Sequence, residues 1–361
     1  MKKVKPAIYR VDPGKIDQRL LEEAALILKR GGLVAFPTET VYGLGALITR
    51  REAVKKIFIV KGRPIDNPLI VHVTGIEMFL ELVRDPPEGI IRLAEKFWPG
   101  PFTIVWWKKP EKIPYEVTAG LPKVAVRAPA HPVALELIRL AGEAIAAPSA
   151  NRSGKPSPTT AQHVLEDLDG LIDAIIDSGE TLYGVESTVI DFTVDPPRLL
   201  RPGAMPIEEI EKAIGKKIEV PPYARGLSEA SEAEAPGIKY RHYAPKARLI
   251  VVETSDYQRK LGLLVDKVKE LLLKAREKYG RVAVICSSET CNEYQGLGVV
   301  VLNIGSRENL FIVARNLFKI LRTLDELGIE YAVAEGFEEK GLGLAIMNRL
   351  RKASGYNMMS V

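Results

Sequence analysis

The densest run of reactive side chains is Phe36-Pro37-Thr38-Glu39-Thr40-Val41-Tyr42-Gly43-Leu44-Gly45-Ala46. Three hydroxyls and a carboxylate follow directly on Leu33 to Phe36, an apolar segment that reads as a buried strand, and α/β folds present ligand groups at strand ends. Lys61-Gly62-Arg63-Pro64 places two cations one residue apart in a proline-pinned loop, able to face one anion if Gly62 bends the chain. His72 lies within the apolar stretch Leu69 to Val73. Arg127 ends the apolar strand Val124 to Arg127, with Thr118 shortly before it. A cation so placed calls for a paired anion. Ala146-Ala147-Pro148-Ser149-Ala150-Asn151, with Ser157 soon after, sets small residues ahead of hydrogen-bonding ones, so a ligand can approach the backbone. Glu186-Ser187-Thr188 opens a further strand with a hydroxyl pair, and Leu199-Leu200-Arg201 ends another with a cation.

Each piece alone has a plainer reading. Thr38 and Thr40 could cap free backbone donors, the Lys61–Arg63 loop could be a solvated basic turn, His72 a packed strand residue, Arg127 half of a structural salt bridge, and Ser149–Asn151 a polar turn. Several such clusters at strand ends of one domain point instead to a site for a polyanion and a small polar molecule.

What is missing narrows the chemistry. No GxxxxGK[ST] loop, no GxGxxG after a strand, no GxSxG elbow and no HExxH occurs, so side chains rather than a backbone cradle would hold any phosphates. The two cysteines, Cys286 and Cys291, are too few for a disulfide framework or a thiolate zinc site, and the four histidines lack ligand spacing. A metal held by the protein alone is not expected. The net charge of +5 over 361 residues suits an anionic substrate but falls short of a dense nucleic-acid-binding face. No apolar run approaches the roughly 20 residues that cross a bilayer, and no signal core follows the basic N-terminus, so a cytoplasmic protein without membrane contact is expected.

These groups need elements to position them. Ile16 to Arg30 carries an apolar helical stripe and stops at Gly31-Gly32. Helices are predicted at Ala53 to Val60 and Pro87 to Phe97. Strands are predicted at Phe102 to Trp107, Ala144 to Ala147, Ala174 to Asp177, Ser187 to Phe192 and Arg198 to Arg201. Residues 1–215 therefore read as an α/β domain with a twisted mixed sheet. Residues 216–246 read as a linker, small and acidic, that ends in the aromatic, cationic Lys239-Tyr240-Arg241-His242-Tyr243. Residues 247–361 alternate strand and helix more simply, as in a small open parallel sheet.

In order along the chain, FPTETVYGLGA, KGRPIDNPL, WPGPFT, VTAGL, VAVRAPAHP, APSANRSGKPSPT, VESTVID and LLRPG closely resemble the YrdC-like domain of the L-threonylcarbamoyladenylate synthases. GIKYRHYAP and the second, Rossmann-like domain resemble the long form of that family. The resemblance implies ATP-dependent chemistry. Threonine's amine takes up carbon dioxide from bicarbonate, the carbamate oxygen attacks the α-phosphate of ATP, and pyrophosphate leaves. It implies that Lys61, Arg63, Ser149 and Asn151 form a catalytic tetrad about the phosphates and the carbamate. Thr38, His72, Arg127 and Ser187 would hold L-threonine. Thr118, Ser157, Arg201, His242 and Tyr243 would join the tetrad in contacting ATP, with Mg²⁺ bound through the triphosphate. The segment Lys239 to Pro245 would serve as a lid. The product would pass to a downstream tRNA threonylcarbamoyl transferase, as the first step of N6-threonylcarbamoyladenosine formation at adenosine 37, with weak or no direct tRNA binding. The rival reading, an RNA-binding module, lacks aromatic-plus-basic tracts.

Overall fold

The computed structural model describes residues 5–230 and 243–361. The chain divides into two compact units. One comprises the described residues up to 153 together with 157–221 and Ala230; the other comprises 222–229 and the chain from 243 onward, with the short piece 154–156.

The first unit is built on a ten-stranded mixed sheet. Its strands are β1 (Ala7–Arg10), β2 (Val34–Phe36), β3 (Gly43–Leu47), β4 (Ile70–His72), β5 (Phe102–Trp107), β6 (Lys123–Arg127), β7 (Ile145–Ala147), β8 (Ala174–Asp177), β9 (Thr188–Asp191) and β10 (Arg198–Arg201). They lie in the order β1-β8-β2-β3-β7-β4-β6-β5-β9-β10. Its helices are α1 (Gln18–Lys29), α2 (Arg51–Lys61), α3 (Ile76–Leu82), α4 (Glu88–Phe97), α5 (Tyr115–Thr118), α6 (Pro132–Ala141), α7 (Ala161–Leu168) and α8 (Ile207–Ile214).

Helix α1 shows why these segments form. The Asp17 side chain accepts from the Arg19 amide at its start, which satisfies one of the free donors there. Leu21, Ala24, Ala25 and Leu28 fall on its buried face. They pack with Val133, Ala134, Leu137 and Ile138 of α6 against Val34, Phe36, Leu47 and Ile145 of the sheet. Complete burial of a leucine such as Leu21 or Leu28 contributes about 1.5–3 kcal/mol.

The strands meant to carry the site form as expected, each within a residue or two of its predicted ends. Strand β3 was not foreseen. It runs antiparallel between β2 and β7, so the site-bearing stretch becomes a loop, Pro37–Tyr42, joining two central strands. Gly45 there is demanded by packing, because a Cβ would lie 2.8 Å from Ile145 Cγ2 and 2.9 Å from the Phe36 ring.

The second unit holds a five-stranded, all-parallel sheet. Its elements are α9 (Pro222–Arg225), β11 (Arg248–Glu253), α10 (Leu261–Arg276), β12 (Val282–Ser287), β13 (Val300–Gly305), α11 (Leu310–Glu326), β14 (Tyr331–Glu335), α12 (Leu342–Ala353) and β15 (Met358–Ser360). The strand order is β13-β12-β14-β11-β15. Of the region read as linker, Pro222–Arg225 is helical, and the Ala224 and Arg225 carbonyls accept from Asn348 and Arg351 of α12. Residues 231–242 lie outside the described residues, and with them His242 and most of the expected lid.

Where a disulfide framework was not expected, the structure has a single bridge, Cys286–Cys291, from the end of β12 to the following 3₁₀ turn. Beside it Glu335 is fully buried and accepts from Arg307 Nη2 at 2.6 Å, Tyr294 Oη at 2.5 Å and Ser287 Oγ at 3.1 Å.

Candidate active site

Arg127, the last residue of β6, is the hub of the first cluster. Its Nε donates to the Gly100 carbonyl at 3.2 Å, Nη1 to Thr40 Oγ1 at 2.9 Å, and Nη2 to Glu39 Oε2 at 2.5 Å. The ion pair is buried on both sides. A guanidinium carries five N–H groups, so two remain for a ligand. The salt-bridge reading of Arg127 is thus true without exhausting it.

Thr38 reaches this hub through its neighbour. Thr38 Oγ1 and Thr40 Oγ1 share a hydrogen bond at 2.7 Å, and Thr38 Oγ1 also lies 2.6 Å from the Val41 carbonyl, to which it can donate. That side-chain-to-backbone bonding shapes the loop after β2, as a hydroxyl turn does. The capping reading of Thr38 is also correct, and the turn it stabilises is what delivers Thr40 to Arg127.

His72 stands opposite Arg127 in the register of β4 and β6. Burial, then the Arg127 charge, push its imidazole down to about 3, so it is neutral at physiological pH. Its Nδ1 has no hydrogen-bond partner, and its ring meets Phe36 edge-on at 5.9 Å. Ser187, one residue before β9, is fully buried and shares a 2.8 Å hydrogen bond with Thr103 Oγ1. Arg201 Nη2 donates to the Ser187 carbonyl at 3.0 Å.

Lys61 centres the second cluster. Its ammonium, at the buried end of α2, donates to the Ser149 carbonyl at 2.5 Å and to the Asn151 carbonyl. Burial, then the like charge of Arg63, hold it well below the ordinary lysine range, with Asp167 opposing. Ser149 Oγ donates to Asn151 Oδ1 at 2.5 Å. Arg63 donates within its own loop, to Asn67 Oδ1 at 2.5 Å and the Pro68 carbonyl at 2.9 Å. The αL conformation of Gly62 provides the bend that turns the chain between the two cations. Backbone bonds from Leu44 to Pro148 and from Ala150 to Tyr42 lay the Ser149 loop along the Thr38 loop.

Two residues expected at ATP have local partners of their own. Thr118 Oγ1 accepts from Lys108 Nζ at 2.6 Å, beside a cavity of about 570 Å³ lined by Thr49, Arg51, Lys108 and Gly120. Ser157 Oγ donates to Glu186 Oε1 at 2.7 Å. Tyr243 lies in the second unit, with positive φ, its ring stacked on Phe318 at 5.0 Å and Arg349 over it at 5.6 Å.

Glu39, Thr40, Thr103 and His131, all buried or nearly so around Arg127, carried no role in the sequence. The usable signal was the demand of Arg127 for an anion, which the carboxylate in the Thr38–Tyr42 stretch meets. Among the described residues, no group of three His, Cys, Asp or Glu side chains is placed to hold a metal ion, and no helix is long and apolar enough to cross a membrane.

Comparison with known proteins bears on both units. A family described as "Telomere recombination" matches residues 26–203. One described as "Threonylcarbamoyl-AMP synthase, C-terminal domain" matches residues 205–355. The chain is 53% identical to a threonylcarbamoyl-AMP synthase of Pyrococcus abyssi over 96% of this chain and 97% of that one. It is 46% identical to one of Bacillus subtilis, over 93% of each. The crystal structure of P. abyssi Sua5 complexed with L-threonine matches with a TM-score of 0.90 and 49% identity, covering 98% of this chain and 99% of that one. E. coli YciO is alike in fold alone, with a TM-score of 0.51 and 24% identity over 55% of this chain and 96% of that one.

Proposed function

The chain belongs to the threonylcarbamoyl-AMP synthase family, and from that premise we propose that it joins L-threonine, bicarbonate-derived carbon dioxide and ATP into threonylcarbamoyl adenylate, releasing pyrophosphate. The observation that carries the threonine half is Arg127, buried among hydroxyls with two N–H groups uncommitted. That is the requirement for a bidentate grip on a carboxylate. Neutral His72 offers its unpartnered Nδ1 to the substrate hydroxyl, Thr38 joins this reading through the family resemblance, and Ser187 lies one hydrogen bond from Thr103.

Attack of the carbamate oxygen on the α-phosphate is an in-line displacement, so placement and neutralisation of charge dominate its rate. Lys61 and Arg63 supply the cations, and Ser149 and Asn151 the hydrogen bonds, on the loop that lies along Thr38–Tyr42. Mg²⁺ would be held by the triphosphate and would supply further neutralisation of its charge. Thr118, Ser157, Arg201, His242 and Tyr243 join this reading as ATP contacts through the family resemblance. The adenylate would serve threonylcarbamoylation of tRNA adenosine 37 by a separate transferase.

The test is pyrophosphate release from ATP by the purified protein, with threonine and bicarbonate added singly and together. Release that requires both is expected. Release indifferent to threonine would refute the proposal.

A further inference from the structure

Three polar atoms around Arg127 are buried without a hydrogen-bond partner: Glu39 Oε1, His72 Nδ1 and His131 Nδ1. Of these, the carboxylate oxygen is the costliest to leave unmet, because a charged group forfeits the most solvation. Glu39 is 3% exposed. Its Oε2 is taken by Arg127 Nη2, while Oε1 accepts nothing. An unmet carboxylate oxygen therefore stands next to a guanidinium with two unspent N–H groups. The complementary molecule presents an ammonium and a carboxylate on one carbon, as an α-amino acid zwitterion does.

The charges agree with that shape. Arg127 and Glu39 cancel. His72 is neutral, burial holds His131 down against the opposing pull of Glu39, and burial holds Tyr183, which also senses Glu39, as the neutral phenol. A zwitterion joins such a cluster without changing its net charge. A bare carboxylic acid would bring an uncompensated anion among buried side chains, at a desolvation cost.

We propose that Glu39 is a binding and specificity residue, whose Oε1 accepts a hydrogen bond from the α-ammonium of the substrate while Oε2 holds Arg127 against the α-carboxylate. The proposal rests on the threonine site proposed above and deepens it, since it states how the site selects amino acids over the corresponding hydroxy acids. The side chain that looks like a structural counter-ion of Arg127 would then read the amine that later becomes the carbamate.

Isothermal titration of the full-length protein tests this with two ligands, L-threonine and its α-hydroxy analogue, in which a hydroxyl replaces the amine. The wild-type protein should bind threonine at least about tenfold more tightly, the scale of one charge-assisted hydrogen bond. Glu39→Gln keeps an oxygen for Arg127 and puts an amide nitrogen where Oε1 stood. It should weaken threonine at least about tenfold and leave the analogue unchanged or tighter. Equal losses for both ligands would mean that Glu39 only supports Arg127 and would overturn the ammonium contact, as would no loss for either. Equal wild-type affinity for the two ligands overturns the proposal even if the variant fails to fold. Absence of any wild-type threonine binding would instead overturn the reading of the site, and this inference with it.

Discussion

Arg127→Lys is the sharpest probe of the threonine site, because it keeps the charge and removes the fork. Three of the five guanidinium N–H groups are spent on Gly100, Thr40 and Glu39, leaving two to grip a carboxylate. A lysine ammonium can stay paired with Glu39 and offer one donor to the substrate, so one charge-assisted hydrogen bond is lost, worth about 1.5–3 kcal/mol. At about 1.4 kcal/mol per tenfold, the KM for threonine should rise between roughly 10-fold and 150-fold. The turnover number should change far less, since the carboxylate is held alike in the ground and transition states. Arg127→Ala is a poorer choice, because it strands the buried Glu39 carboxylate at a cost of about 3–5 kcal/mol and confounds binding with folding. The assay is pyrophosphate release against threonine concentration at saturating ATP and bicarbonate, with a melting curve to verify folding. A folded variant whose threonine KM stays within about twofold of the parent would refute the bidentate grip.

Four further outcomes are expected. His72 has its pKa lowered to about 3, against about 6.5 unfolded. The unfolded chain therefore binds the extra proton as pH falls, and stability present above pH 6.5 is lost between 6.5 and 3, by roughly 2 kcal/mol at pH 5; His72→Asn should flatten that dependence in denaturant melts, and an unchanged slope would contradict it. Replacing Cys286 with serine, or reducing the bridge to Cys291, should cost roughly 2 kcal/mol by the loop-entropy estimate for so short a loop, read in the unfolding of the second unit. Glu335→Ala should destabilise that unit by about 3–5 kcal/mol in chemical denaturation, because Arg307 loses its buried partner. Lys61→Met should abolish most of the thermal stabilisation that ATP confers on the wild-type protein, and a full ATP-induced shift in a folded variant would speak against Lys61 as a phosphate ligand.

The residues of the site were more legible than the sheet that holds them. Val34–Phe36 and Lys123–Arg127 announce themselves as strands by composition, and the groups at their ends stand out because polar side chains seldom follow buried runs without reason. Strand β3 did not announce itself. Gly43–Leu47 has no β-branched residue, and its glycines read as turn signals, whereas Gly45 is there to admit the Phe36 ring and Ile145. Helix α6 was not foreseen although its signals were in view, a proline at its first turn and Gly142 in the αL conformation at its end. The strand order was beyond reach. It joins three-residue strands far apart in sequence, and no local pattern encodes such pairings. Glu39 was quoted but given no role, since its meaning depends on Arg127, which is 88 residues away.

Lys61 gives the clearest argument that the site is built for a ligand rather than for stability. Its ammonium is buried and bonded to two backbone carbonyls, with no carboxylate in hydrogen-bonding contact and with Arg63 close enough to depress its pKa further. Neutral acceptors repay only part of the desolvation of a buried charge. A methionine would fill the same space without that penalty, so folding alone gives no reason for a lysine. The penalty falls when an anion arrives, because each negative phosphate oxygen nearby favours the charged form. Arg127 and Glu39 likewise cancel each other but leave two donors and one acceptor unmet. Unmet groups of opposite sign in one buried cluster weaken the empty protein and strengthen the filled one, and under the function proposed above that difference is available for holding the two substrates in line.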